Sequence, residues 1–185
     1  MGALPVVEPW DTSVTAAPPV PVAFERFSTD YEDFFREELR PLVALATAIA
    51  GADRGEEIAQ EALLRAHREW GRIARYDKPG AWVRRVAINL ATSSQRRRSA
   101  ERRALQRVAT RRQLDAPPPE VDDFWALVRR LPDRQAAAVA LHYLEDLSVA
   151  EIADTLGCAE GTAKAHLHKA RRALAEHLRN QEPPR

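Results

Sequence analysis

The chain has 185 residues, 45% hydrophobic and 6% aromatic, with 28 Lys and Arg against 27 Asp and Glu. Near-neutral charge excludes a protein that coats polyanions over its whole surface. The single cysteine, Cys158, excludes a disulfide framework and fits a reducing cytoplasm, and no apolar run reaches membrane-spanning length.

Alanine, leucine and valine dominate the apolar residues, with 7 glycines and few β-branched runs, so the predicted fold class is all-α. Charge is divided along the chain. Residues 1–90 carry 11 Lys and Arg against 14 Asp and Glu, whereas residues 91–185 carry 17 against 13. A locally basic surface in the second half therefore stays open as a nucleic-acid contact.

Residues 1–23 contain five prolines among Thr, Ser and Ala, too little apolar surface to fold alone, and predict a disordered tail. Trp10 is a lone aromatic there, able to dock elsewhere. The segment lacks the basic start and apolar core of a signal peptide. From Thr29 to Ala50 the spacing predicts a helix, with Thr29 and Glu32 as capping box and Phe35, Leu39, Leu42, Leu45, Ala46 and Ile49 on its core side. Pro41 is expected to kink or split it, and Gly51 to end it.

Asp53 and Glu56 offer a second capping box, ahead of a stripe of Ile58, Ala62, Leu63, Ala66 and Trp70. Opposite sit Glu57, Gln60, Glu61, Arg65 and Arg68, which by themselves read as a solvated face. A loop then leads to Pro79 at the first turn of a helix carrying Trp82, Val83, Val86, Ala87 and Leu90, with Arg84, Arg85 and Asn89 at polar positions. It runs into Gln95 to Arg98. Between Arg96 and Arg112 stand eight arginines and one glutamate, a density that attracts phosphates or merely solubilises a helix end.

Pro117 to Pro119 mark a semi-rigid spacer and a domain boundary, with the linker at residues 113–121. Fully extended, those nine residues span at most about 30 Å. Two modules that move independently are expected on either side. Asp122 and Asp123 open the next helix, with Phe124, Trp125, Leu127, Val128 and Leu131 as core. Pro132 starts another, carrying Ala136, Val139, Ala140 and Tyr143.

The stretch Leu147 to Leu174 reads as two helices and a turn. Ser148 and Glu151 form a capping box, Ile152, Ala153 and Leu156 an apolar face, and Gly157 the left-handed stop. The second helix carries Ala163, Leu167, Ala170, Leu174 and Leu178 on one stripe and leaves Lys164, His168, Lys169, Arg171 and Arg172 on other faces. Short helix, tight turn and basic second helix make the arrangement that lays a recognition helix into a DNA major groove. A helical hairpin with a solvated basic face has the same pattern. No Gly-rich phosphate loop and no metal-ligand spacing of Cys and His speak for an enzyme or a metal site, and His166 and His168 point to different faces. A purely structural helical adaptor would not need the basic helix, and a one-component transcription factor would want a ligand or receiver domain.

Two blocks resemble one family, in the right order. DRGEEIAQEALLRAHREW followed by PGAWVRRVAINLATSSQRRR resembles region 2 of bacterial sigma factors, and LPDRQAAAVALHYLEDLSVAEIADTLGCAEGTAKAHLHKARRAL resembles their region 4. With these two domains alone the chain is similar to the extracytoplasmic-function sigma factors of the sigma-70 superfamily. The resemblance implies a cytoplasmic promoter-specificity subunit, not an enzyme, that binds core RNA polymerase and promoter DNA, with no cofactor and an anti-sigma factor as regulator. It implies a region 2 domain over residues 24–112 and a region 4 domain over residues 122–180, joined by a flexible linker. Glu57, Gln60, Glu61, Leu64 and Arg65 would then meet the polymerase. Tyr76, Trp82, Arg85, Asn89 and Arg96, Arg97 and Arg98 would open and hold the minus-10 element, Trp82 being equally a candidate for the core. Glu160, Gly161, Thr162, Lys164, Ala165, His168 and Lys169 would read the minus-35 element, with Arg171 and Arg172 on phosphates. Relatives commonly carry aspartate at the position of Glu57, and serine, valine, serine and arginine where this chain has Ala159, Ala163, Ala165 and His166.

Overall fold

The computed structural model describes residues 24–108 and 124–181; the predicted tail at 1–23 and linker at 113–121 lie outside them. All eight elements among the described residues are helices: α1 (Phe24–Ala50), α2 (Ala52–Arg68), α3 (Trp70–Ile73), α4 (Pro79–Val108), α5 (Phe124–Val128), α6 (Asp133–Leu144), α7 (Val149–Leu156) and α8 (Glu160–Gln181). The all-α prediction holds.

α1, α2 and α4 pack on one another through Leu42, Leu45, Ile49, Ile58, Ala62, Leu63, Val83, Val86 and Ala87, each buried. Small residues allow the close crossing of α1 and α2. A Cβ on Gly55 would fall 1.9 Å from the Thr47 hydroxyl, so no larger residue fits there. Tyr31 ties the two helices further, donating to the Leu63 carbonyl at 2.8 Å while its ring meets Trp70 edge-on at 5.3 Å. Aromatic contacts of this kind add about 0.5–1.5 kcal/mol to the area they bury.

Several local expectations are corrected. α1 is not split at Pro41 but continues through it from Phe24 to Ala50, because the packing of both halves outweighs the single backbone bond that proline removes. The capping box at Asp53 and Glu56 is absent: α2 begins two residues earlier than that cap implies, Gly51 caps it without a side-chain bond, and Asp53 sits in the first turn. Trp70 does not extend α2; the chain breaks at Glu69, and Trp70 opens the separate turn α3. Pro132 caps α6 rather than entering its first turn. Leu178 leaves the α8 stripe and is 51% exposed.

The larger correction concerns module independence. Ala137, Ala138, Ala140 and Leu141 of α6, Ile152, Ala153 and Leu156 of α7, and Ala163 and Leu167 of α8 belong to the same buried cluster as the α1–α2–α4 core. A smaller cluster of Leu127, Val128, Ala136, Val139, Ala170 and Leu174 holds α5, α6 and α8 together. The modules are thus packed, not merely tethered. α6 is rich in alanine, and its smooth surface lets both α1 and α8 pack against it.

Candidate nucleic-acid interface

The helix-turn-helix is built by local rules. The Ser148 hydroxyl accepts from the Glu151 N–H at 3.3 Å, and the Glu151 carboxylate accepts from the Ser148 N–H at 3.0 Å, closing the capping box. The Ser148 hydroxyl also donates to the Glu151 carboxylate at 2.7 Å, and this donation, then that of the Ser148 N–H, holds the carboxyl below the usual 4.5. α7 ends at Gly157 with φ +64°, where its N–H and that of Cys158 return to the last turn. Only glycine takes that conformation without strain. α8 then starts at Glu160, with the Ala159 carbonyl accepting from Thr162 and Ala163 at 2.9 and 3.1 Å. Ala159 therefore occupies the cap, the position where a side-chain acceptor is missing.

α8 buries Ala163, Leu167, Ala170 and Leu174 and exposes Glu160, Gly161, Thr162, Lys164, Ala165, His168, Lys169, Arg171 and Arg172. All nine predicted minus-35 residues are thus on accessible faces. Arg171 is the most restrained: its Nε donates to the Tyr143 hydroxyl at 3.1 Å, and its guanidinium lies 5.8 Å from the Tyr143 ring centre. Arg172 pairs with Glu176 at 3.3 Å on an exposed surface, an interaction worth at most about 0.5 kcal/mol. His166 is half-buried; burial, then the positive charges of Arg134 and Lys169, keep its imidazole below the usual 6.5, hence neutral at pH 7.

On α4 the predicted minus-10 residues divide. Asn89, Arg96 and Arg97 are exposed, while Tyr76, in the connection that precedes α4, packs half-buried against the main core. Trp82 is 5% exposed, a core residue in this arrangement, and its Nε1 has no hydrogen-bond partner among the described residues. Arg85 and Arg96 are engaged by the C-terminal half. Arg85 donates to the Thr155 carbonyl at 2.8 Å and to the Asp154 carbonyl, closing the C-terminus of α7 together with Arg134, which reaches the Leu156 carbonyl at 2.8 Å. Cations at that end complement the helix dipole. Arg96 pairs with Asp133 at 2.5 Å, Arg98 with Asp53 at 2.9 Å, and Lys78 with Asp154 at 3.3 Å.

The outer face of α2 is a separate surface. Leu64 is 43% exposed there, flanked by pairs Arg54–Glu57 at 3.2 Å and Arg65–Glu61 at 2.8 Å, with Gln60 donating to Glu56 at 3.1 Å.

The inter-module set escaped sequence reasoning: Arg84, Glu38, Glu145, Gln95 and Arg134. Arg84 pairs with Glu38 at 3.0 Å and with Glu145, and Gln95 donates to the Arg129 carbonyl. Burial pushes the Glu38 carboxyl above its usual value, against the pull of Arg84. Arg84 was read only as a polar position of its helix, and nothing in the local pattern marks its partners on α1 and α6.

Comparisons with known proteins place two family models on the chain in series: Sigma-70 region 2 on residues 34–103 and Sigma-70, region 4 on residues 122–174. The chain is 33% identical over 163 residues to the ECF RNA polymerase sigma factor SigM of Mycobacterium tuberculosis, covering 85% of this chain and 80% of that protein. It is 31% identical over 137 residues to the RNA polymerase sigma-E factor of Streptomyces avermitilis, covering 69% and 72%. Among solved structures, the sigma factor RpoE in complex with the anti-sigma factor NepR from Bartonella quintana matches with a TM-score of 0.64 at 24% identity, over 83% of this chain and 99% of that one, a likeness of fold.

Proposed function

The chain belongs to the extracytoplasmic-function group of sigma-70 RNA polymerase sigma factors, and from that premise we propose how its surfaces divide the work of directing core RNA polymerase to promoters. The carrying observation is the capped helix-turn-helix, whose second helix holds its apolar stripe inward and Lys164, His168, Lys169, Arg171 and Arg172 outward. α8 enters the major groove of the minus-35 element, its N-terminal residues toward base edges and Arg171 and Arg172 on phosphates. The exposed face of α2, centred on Leu64 and Glu61, docks on the polymerase.

α4 holds the minus-10 element through Asn89 and the arginines from Arg96 to Arg98, with Tyr76, half-buried just before α4, as the aromatic group offered to a base extruded from the duplex, while Trp82 stays in the core. Arg85 and Arg96 must exchange their contacts at α7 and Asp133 for phosphates, so engagement of the minus-10 element goes with separation of the two modules. On this reading region 2 spans 24–112 and region 4 spans 122–180, and the linker at 113–121 lets them part. The protein acts in the cytoplasm, where RNA polymerase works, and has no catalytic chemistry of its own. None of its described helices is long and apolar enough to cross a membrane. An anti-sigma factor is the natural regulator, since a solved structure of the same fold, the sigma factor RpoE of Bartonella quintana, is bound to one.

Size-exclusion chromatography of the chain with purified core polymerase tests the assignment. Co-elution as a stoichiometric complex that footprints two promoter elements supports it; separate elution refutes it.

A further inference from the structure

At the end of α6 an aromatic patch faces solvent. Tyr143 is 52% exposed and Phe124 38%, and their rings meet edge-on with centres 6.3 Å apart. Half-buried Trp125 meets Phe124 edge-on at 5.1 Å. Arg171 stands beside the Tyr143 ring and donates to its hydroxyl, and among the described residues no carboxylate pairs with it. Exposed aromatic rings around an unpaired guanidinium are the residues that most often anchor a protein contact.

One segment of the chain matches this patch. Trp10 is the single aromatic residue ahead of Phe24 and stands in the run Glu8-Pro9-Trp10-Asp11, with a carboxylate on either side. Residues 1–23 hold those two acids and no Lys or Arg, so their charge is opposite to that of Arg171. The exposed leucine of α2, Leu64, is a poorer seat, because Glu57 and Glu61 beside it would repel Glu8 and Asp11. The reach is sufficient. Glu145, two residues past Tyr143, pairs with Arg84, which also holds Glu38 of α1. Glu38 lies about 21 Å along α1 from Phe24. From Trp10 to Phe24 the chain spans about 43 Å when extended as its prolines favour.

We propose that residues 8–11 dock on this patch, with Trp10 against the Phe124 and Tyr143 rings and Glu8 and Asp11 beside Arg171. The tether makes the contact intramolecular, so a short segment is enough to occupy it. A further consequence rests on the minus-35 reading given above: the docked segment covers Arg171 and competes with promoter DNA for it.

Fluorine NMR of the full chain labelled with fluorotryptophan tests the docking. Trp10→Phe assigns the resonance, and a labelled synthetic peptide of residues 1–23 gives its undocked position. In the full chain the Trp10 resonance should lie away from that position and stay there on dilution. Tyr143→Ala should bring it to the peptide position, and Arg171→Glu should move it part of the way, while unchanged Trp70 and Trp82 resonances report an intact fold. The docking is overturned if the wild-type resonance already coincides with the peptide's, or if Leu64→Ala moves it and Tyr143→Ala does not. A return to the peptide position on dilution also overturns it, since the occupant would then be a second copy. In duplex titrations Trp10→Ala should bind the minus-35 element at least about twofold more tightly, as expected if half or more of the molecules are docked. Unchanged affinity beside a docked Trp10 overturns the competition. Failure of every variant to bind the duplex would refute the minus-35 reading and not the docking, which the NMR decides without DNA.

Discussion

Arg84 of α4 forms an ion pair with Glu145 at the end of α6, across the packed surface of the two modules. The side chains are 18% and 5% exposed, and Glu38 of α1 closes the triad at 3.0 Å. Burial costs such charges much of what their attraction returns, so the triad's role lies less in net stability than in fixing which faces meet.

Arg84→Met should leave two buried carboxylates facing each other, at a cost approaching the roughly 3–5 kcal/mol of a broken buried pair. Glu38 already has its carboxyl raised by burial, so in this variant it takes up a proton in the folded state before it would in the unfolded chain. A raised carboxyl favours the folded state at low pH, and that benefit is lost as pH rises through the folded value. Melting temperatures of the variant should therefore fall from pH 5 to pH 7 more steeply than those of the wild type. Parallel profiles would show that Glu38 does not titrate with the triad.

Glu61→Arg should abolish assembly with core polymerase while changing stability by less than about 0.5 kcal/mol, since the Glu61–Arg65 pair is surface-exposed. Normal co-elution of this variant would remove the α2 face as the docking surface.

Ala159→Ser should stabilise the chain by about 1 kcal/mol, because Ala159 stands at the N-cap of α8 and a serine hydroxyl accepts from an unpaired N–H of the first turn. The same hydroxyl, and the better-ordered turn, should tighten minus-35 duplex binding. A melting midpoint that stays or falls would contradict the placement of the cap.

His166→Arg should steepen the salt dependence of duplex binding by about one ion, because the imidazole is neutral at pH 7 and arginine is not. Wild-type binding should tighten as pH falls far enough below the usual imidazole range for His166 to gain its proton, and the arginine variant should show a smaller response. An unchanged salt slope in the variant would place position 166 away from the DNA.

What was legible in the sequence was what is local. Ser148, Glu151 and Gly157 determine a cap and a stop within ten residues of chain, and the periodicity of Ala163, Leu167, Ala170 and Leu174 fixes which face of α8 is exposed. Asp53 misled because an acid three residues before a glutamate looks like a cap, whereas its partner is Arg98 on another helix, 45 residues away. The Arg84–Glu145 and Arg85–Thr155 contacts join residues 61 and 70 positions apart and leave no period in the sequence. Trp82 was ambiguous for a physical reason: the aromatic area that could stack a base is the same area that fills a core, and only the packing of α1 and α2 around it decides.

The most direct test of the account is transcription in vitro, with core RNA polymerase, the purified chain and a library of promoter fragments. The account predicts initiation from a discrete subset of promoters, absent without the chain and lost with Glu61→Arg. Initiation that does not depend on the chain, or that survives in the Glu61→Arg variant at wild-type level, would contradict it.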